Sequence, residues 1–361
     1  MLKKMTLALL ALVFASALGF SLVSAQDATA EPTAAATMEA TAEPVDHTGW
    51  PETFIIGVYP GDNVEKALAA QEPLRAYLEA KLGVRTVVIT GTSYNAVIEA
   101  MRAGRADAFE VGPFSYVLAH DVADAEPLAV GNYSTTVDLK TIPGYYSVMF
   151  TKKGSGITKI EDLAGKTFAF TDPASTSGYL VPSTDVLTTM KFDNKDQLDT
   201  FFGQAIFAGS HPASVLAVSN GTTDAGATFD DNLVDQANAD IAICGVDKGT
   251  EKGKEIFHSA MTQEEIMKVY DACPEGSIAI FHQSPLIPQT PFAINAKLPQ
   301  SFKDAVKAAL LDIANQPELV TSLGRFYVDP TTIDTSVTSI DALYDPLRVI
   351  AEKLQIDLKA R

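Results

Sequence analysis

"TFAFTDPASTSGYLVPSTDVLTTM", residues 167–190, decides how this chain is read. Thr167–Phe170 is a short apolar run ended by Asp172-Pro173, the pattern of a buried strand closed by a turn. Ser175, Thr176 and Ser177 then stand where a helix running to Met190 begins. The first turn of a helix carries backbone N–H groups without internal partners, at the positive end of its dipole. Three hydroxyls added to those groups make an oxyanion receptor that needs no lysine or arginine. A helix cap needs only one hydroxyl. The run by itself leaves a cap, a nucleophile and an anion cradle open.

Outward from this stretch, strands and helices alternate. "TFIIGVYPG" (53–61) is a strand ending in a Pro-Gly turn; Tyr59, at its end, is counted with the ligand-binding candidates. "NVEKALAAQEPLRAYLEAKLG" (63–83) has apolar residues at helical spacing, with Pro73 expected to kink or restart it and Gly83 to stop it. "RTVVITG" (85–91) is a strand, and "TSYNAVIEAMRAG" (92–104) a helix capped by Thr92 or Ser93. "ADAFEVG" (106–112) is followed by a helix opened by Pro113, then by strands in "EPLAVGNY" (126–133) and "GYYSVMFTKK" (144–153). This βα rhythm predicts an α/β domain around a mostly parallel sheet. The rhythm returns in "QAIFAGS" (204–210), "HPASVLAVSNG" (211–221) and "TDAGATFDD" (223–231). "GSIAIFHQSPLIPQTPFAIN" (276–295) reads as an extended crossing, and helices are expected in 298–317 and from about Ser339 to Leu358.

The expected fold is therefore α/β and bilobed: two α/β domains joined by two crossing segments, near Tyr145–Phe150 and Ile278–Ile294. One lobe takes residues 50–145 and 286–361, the other 146–285 with an insertion near 244–273. In open α/β sheets the ligand lies beyond the carboxyl ends of the strands, so a cleft between the lobes collects loops from both.

"MLKKMTLALLALVFASALGFSLVSA" (1–25) reads as a secretory signal peptide cut after Ala25, with an uncleaved anchor as the alternative. Residues 26–49 form an Ala/Thr/Glu/Pro linker with no buried-face period. The formal net charge of −18 argues against nucleic acid and against anionic membrane surfaces as partners. It does not bar a small anion, which answers to local donors. Cys244 and Cys273 flank a charged insertion; in an oxidising compartment a disulfide there would contribute about 3–4 kcal/mol. The five histidines share no metal-ligand spacing, so neither metal nor cofactor is expected.

Further strand-to-helix junctions carry polar residues: Ser93-Tyr94, Ser210-His211 and Asp230-Asp231. Taken together, "STSGYLVP", "GSHPASVLAVSNGTTDAGATFDDN", "SPLIPQTP" and "GTSYNAVIEAMRAGRADAFEVGPFSYVLA" resemble the phosphonate/phosphite/phosphate-type periplasmic substrate-binding proteins of ABC transporters. The resemblance covers nearly all of residues 53–320. It implies a type II periplasmic-binding fold that closes on its ligand by hinge motion. It implies that Ser175, Thr176 and Ser177 hold the phosphorus oxygens, that Tyr94 donates a phenolic hydroxyl from the other lobe, and that His211 faces the same anion. In the amino-phosphonate-binding members an acidic residue follows that histidine by about twenty positions, here Asp231, with Asp230 as the competing candidate. Those members carry a second acid after "SPLIP", where this chain has Gln289-Thr290-Pro291. The departure favours phosphite, phosphate or a simple alkylphosphonate.

An aspartate beside an oxyanion is repulsive unless it accepts a proton that the ligand carries, which would exclude sulfate. Micromolar affinity needs about −8 kcal/mol, and hydrogen bonds to a charged group contribute about 1.5–3 kcal/mol each. The hydroxyls, helix N–H groups, Tyr94 and His211 suffice without an arginine, and none is expected near these motifs. A monomer delivering its anion to an ABC permease is the expected protein. The rival readings are a sulfonate or carboxylate binder, a ligand sensor on the same fold, and a hydrolase using Ser175, His211 and Asp231; against the last, the chain lacks a G-x-S-x-G elbow around Ser175.

Overall fold

The computed structural model describes residues 47–59, 61, 63–249 and 256–358. The expected signal peptide and all but the last three residues of the expected linker lie outside the described residues. Strand β1 (Thr53–Val58) buries Phe54, Ile56 and Val58 and pairs in parallel with β2 (Arg85–Thr90) and β3 (Ala108–Glu110). The crossovers are α1 (Val64–Leu82) and α2 (Tyr94–Arg102). Pro73 lies inside α1 and neither ends it nor starts a second helix. Leu74, Leu78 and Leu82, one turn apart, anchor α1 to the sheet, and Gly83 at φ 65° caps it through its N–H to the Glu79 carbonyl. Helix α3 (Pro113–Ala123) and strand β4 (Ala125–Asn132) complete this half of the chain.

The chain then crosses. β5 (Gly144–Tyr145) leads to β6 (Ser147–Lys152), β7 (Thr167–Phe170), α4 (Val181–Met190), α5 (Lys195–Phe201) and β8 (Gln204–Phe207). After these come α6 (His211–Ser219), β9 (Ala225–Phe229), α7 (Asp230–Asn238), α8 (Gln263–Asp271) and β10 (Ile278–Gln283). The return passes through β11 (Ile287–Pro288) and β12 (Pro291–Asn295), then α9 (Gln300–Asp312), α10 (Pro317–Leu323), β13 (Phe326–Val328) and α11 (Pro330–Ile333). One six-stranded sheet has the order β13-β4-β12-β3-β1-β2, a five-stranded sheet the order β10-β6-β9-β7-β8, and β5 and β11 form an antiparallel ribbon.

The mostly parallel sheet expected from the βα rhythm is corrected: both sheets are mixed. β12 runs antiparallel to β3 and β4, and β6 antiparallel to β9 and β10. The reason is the double crossing. β6 and β12 enter their sheets from the opposite side of the molecule, not from a βαβ crossover, and so run against their neighbours. Phe54, Phe109, Phe114, Phe292, Phe302 and Phe326 fill the core around the larger sheet; Phe150, Phe168 and Phe281 pack around the smaller one.

The C-terminal helix is shorter than expected. A 3-10 turn at Asp341–Tyr344 precedes α12 (Asp345–Lys353), where Pro346 sits at the helix start, the position that tolerates a missing N–H. α12 packs on both α3 and α4, and Lys353 Nζ donates to Thr188 Oγ1 at 3.1 Å.

Cys244 and Cys273 are joined in a disulfide. Within the enclosed segment α8 opens on a capping box of Thr262 and Glu265, and the Cys244 N–H donates to the Ile278 carbonyl, tying the segment to β10. Closing a loop of 29 residues, the disulfide should contribute about 2–4 kcal/mol. Urea unfolding with and without reductant should show that loss, and the reduced protein should match a Cys244→Ala/Cys273→Ala variant.

Candidate functional site

The hydroxyl run sits in a turn stitched across itself. After β7, Asp172 Oδ1 accepts from the Ala174 N–H at 2.8 Å, and the Ser175 N–H returns to the Asp172 carbonyl at 2.9 Å. Ser175 is extended and its Oγ accepts from the Gly178 N–H at 3.1 Å; a single π turn, Thr176–Leu180, then leads into α4. Gly178 permits the turn: a Cβ there would lie 2.1 Å from Thr171 Oγ1 and 2.9 Å from Ser175 Oγ. The Gly178 carbonyl accepts from the Thr171 N–H at 3.0 Å, closing the turn against the strand end.

Elements of the other lobe press onto this turn. Thr176 Oγ1 accepts from the Phe114 N–H at the start of α3 at 2.8 Å, and Ser115 Oγ donates to the Ala174 carbonyl at 2.9 Å. The Tyr94 hydroxyl lies against Ser175, and the Tyr145 hydroxyl against Thr176 and Ser177. From the same lobe, Ser147 Oγ of β6 donates to the Ser177 carbonyl at 2.7 Å; across the cleft, the Tyr59 hydroxyl accepts from the His211 N–H at 3.3 Å.

Between these elements lies a cavity of about 440 Å³. Tyr59, Tyr94, Ser175, Thr176, Ser177, His211 and Asp231, the residues nominated from the sequence, all line it. The starts of α2 (Tyr94), α3 (Pro113), the π turn (Thr176), α6 (His211) and α7 (Asp230) are all among its walls. Helix starts lining one space bring positive dipole ends to it without spending a charged side chain. Ser93 and Ser210 are ordinary caps, accepting from the Ala96 and Ala213 N–H groups at 3.2 and 3.1 Å.

His211 is buried, with Nδ1 3.0 Å from Thr228 Oγ1 and 3.4 Å from Thr171 Oγ1, and Nε2 3.4 Å from Ser175 Oγ. Burial pushes its pKa down to about 3, so the ring is neutral at physiological pH and offers one N–H, not a charge. Its second nitrogen faces threonine hydroxyls where a nucleophile triad needs a carboxylate, so Ser175, His211 and Asp231 do not assemble as one.

Both aspartates line the cavity. Asp230 is fully buried, accepting from the Tyr146 N–H at 3.3 Å, whereas the Asp231 side chain retains 21% exposure. Gln289 and Thr290 reach the walls at the place where the second acid was looked for.

The expectation of no arginine near the site is corrected. Arg325 lines the cavity, its Nη2 2.9 Å from Glu110 Oε2 and 2.7 Å from Gln71 Oε1, its Nε donating to the Tyr327 hydroxyl at 3.0 Å. Glu110 also accepts from Tyr133 and Tyr327 at 3.1 and 2.9 Å. The guanidinium is thus compensated within its own cluster. A carboxylate in the apolar run "ADAFEVG" was a signal that a buried partner exists; nothing in the chain pointed to Arg325 as that partner. Tyr145 lay unnoticed inside the crossing segment.

A family model described as ABC transporter, phosphonate, periplasmic substrate-binding protein matches residues 56–334. The chain is 32% identical over 229 residues to the phosphate-import protein PhnD of Mycolicibacterium smegmatis, covering 62% of this chain and 68% of that one. It is 28% identical over 252 residues to the phosphonates-binding periplasmic protein of Escherichia coli, covering 68% of this chain and 62% of that one. Among solved structures, PhnD1 from Prochlorococcus marinus in complex with methylphosphonate shares the fold with a TM-score of 0.61 at 19% identity, covering 85% of this chain and 100% of that one.

Gly178→Ala should force the turn away from Thr171, lowering stability by about 1–3 kcal/mol as overpacking does and weakening ligand binding further than the stability loss explains. Calorimetric unfolding and titration of the same variant separate the two effects. The stability that His211 contributes by staying neutral is fully present above its unfolded pKa of 6.5 and is lost as pH falls toward about 3, because the unfolded chain binds the proton there and the folded one does not. The melting temperature of the wild type should therefore fall more steeply between pH 6 and pH 4 than that of His211→Gln.

Proposed function

This chain belongs to the periplasmic phosphonate substrate-binding proteins of ABC transporters, and we propose that it captures a phosphorus oxyanion, phosphite, phosphate or a simple alkylphosphonate, outside the cytoplasm and delivers it to an ABC permease. The observation that carries this reading is the convergence of helix starts and the Ser175–Ser177 hydroxyls on one cavity whose histidine is neutral. Such a site solvates an oxyanion with oriented dipoles, as water would, but with the ordering already done.

Ser175, Thr176 and Ser177 face the phosphorus oxygens in this reading, with Tyr94 and Tyr59 closing from the opposite lobe and His211 giving one N–H. Asp231 accepts the proton of a protonated oxygen, which sulfate lacks at neutral pH. The protein works as a monomer and performs no chemistry on its ligand; the displaced Ser175–His211–Asp231 geometry supports that. Among the described residues no helix is long and apolar enough to cross a membrane.

Closure follows from the same contacts. The bonds from Thr176 to the Phe114 N–H and from Tyr59 to the His211 N–H join the two walls directly, while the β5–β11 ribbon and the strands flanking it supply the hinge. A permease would then distinguish loaded from empty protein by the angle between the walls.

Calorimetric titration with phosphite, phosphate, methylphosphonate, 2-aminoethylphosphonate and sulfate tests the reading. At least one phosphorus anion should bind with micromolar affinity or better, sulfate should not, and Ser175→Ala/Thr176→Val should weaken binding at least tenfold, about one hydrogen bond to a charged group. Silence across the phosphorus anions would reject it.

A further inference from the structure

The cavity is larger than a bare oxyanion needs. A phosphate, four water-sized oxygens around one phosphorus, takes up about 120 Å³, against a cavity of about 440 Å³. The hydroxyl run reaches it from behind β7 of the five-stranded sheet. Another stretch of its wall belongs to the six-stranded sheet and the segments packed with it. Ala67 and Gln71, one turn apart on α1, stand there with Glu110 of β3, Tyr133, and Gly324 and Arg325 ahead of β13. Ala67 and Gly324 keep this stretch recessed; a Cβ at Gly324 would meet nothing within 4 Å among the described residues.

The recess holds donors that no described residue takes up. Arg325 is 6% exposed. Its Nε donates to Tyr327 and its Nη2 to Gln71 Oε1, while Nη1 makes no hydrogen bond among the described residues. Nη1 is not one of the buried polar atoms left without a partner, so it keeps access to the cavity that Arg325 lines. The Gln71 amide gives its oxygen to Arg325, and the Gln289 amide its oxygen to the Thr290 N–H at 2.9 Å; neither NH2 group has an acceptor among the described residues. Gln289 adjoins the same recess: a Cβ at Gly131 would lie within 3.5 Å of Glu110 Oε1, the Tyr133 ring and the Thr290 carbonyl. Glu110 Oε2, 2.9 Å from Nη2, cancels the guanidinium charge. What the recess offers is therefore directed N–H groups, not a field, and their complement is a neutral acceptor oxygen.

Resting on the anion-binding reading above, we propose that this recess is a specificity subsite for the ligand's organic substituent: Arg325 Nη1, with the Gln71 and Gln289 amides, receives a hydroxyl or carbonyl oxygen carried a few bonds from the phosphorus. The favoured ligand is an organophosphonate or phosphate monoester with a neutral, oxygen-bearing substituent. Its oxyanion is held at Ser175–Ser177 and its substituent oxygen at Arg325. Donors built to meet a substrate oxygen discriminate strongly, because an analogue lacking it leaves them desolvated and unpaired.

Calorimetric titration at one pH tests this with methylphosphonate and two isosteric pairs: propylphosphonate against 2-hydroxyethylphosphonate, and butylphosphonate against 3-hydroxypropylphosphonate. In the wild type the hydroxyl member of at least one pair should bind about tenfold more tightly than its alkyl match, the scale of one hydrogen bond to a charged group. Gln71→Leu removes one donor and the acceptor that orients the guanidinium, and should cut that ratio by about threefold or more. Ala67→Leu puts bulk into the recess with little change in helix propensity, and should weaken all four longer ligands relative to methylphosphonate. Arg325 is left in place, since its loss would strand the buried Glu110 without its cation. Equal affinities within both pairs in the wild type, a hydroxyl preference untouched by Gln71→Leu, or longer ligands untouched by Ala67→Leu would overturn the subsite, and methylphosphonate still bound would leave anion capture standing. A wild type that binds none of the five would overturn both.

Discussion

The Thr176 hydroxyl accepts the Phe114 N–H across the cleft, and the rest of the site is arranged around that bond. It satisfies a donor at the start of α3 with an acceptor from the turn before α4, so a helix end in one lobe is completed by a side chain of the other. The turn can present Thr176 in this way because Gly178 leaves room for Thr171 and because Ser175 caps from within. Ser115 and Ala174 extend the seam, and Tyr94 and Tyr145 lie against the remaining hydroxyls. An anion in the cavity would therefore sit between surfaces already fitted to each other.

The site solves an electrostatic problem in an unusual balance. The chain is strongly acidic, and among the described residues the cavity is lined by Glu110, Asp230, Asp231 and Asp235 as well as Arg325. Attraction for an oxyanion has to come from dipoles: helix starts, hydroxyls and a histidine kept neutral by burial. Arg325 is present but committed to Glu110, Gln71 and Tyr327, where it braces β13 and β3.

Much of this was legible along the chain, because the residues that matter lie at strand-to-helix junctions, where local chemistry announces itself. Ser93-Tyr94, Ser175–Ser177 and Ser210-His211 each combine a capping serine with a helix start, Asp230-Asp231 opens a helix without capping it, and each reaches the cavity or caps a helix that does. The crossings were visible as extended, proline-broken runs, and the cysteine pair as the bracket of an insertion. What was illegible depends on contacts between distant segments. Arg325 meets Glu110 only because β13 is laid beside β4, and β6 and β12 run antiparallel only because the chain crosses twice.

The sequence by itself determined the α/β elements, their caps, and the family to which the chain belongs, since periodicity, turn residues and capping hydroxyls act over a few neighbours. Tertiary structure alone decided which of those junctions share one space, that His211 is neutral, that Arg325 is internally compensated, and that His258 stands against Asp230 and Asp231. The physical reason is common to all four: charge state and partnership follow from burial and from distances across the fold, and neither is a property of adjacent residues.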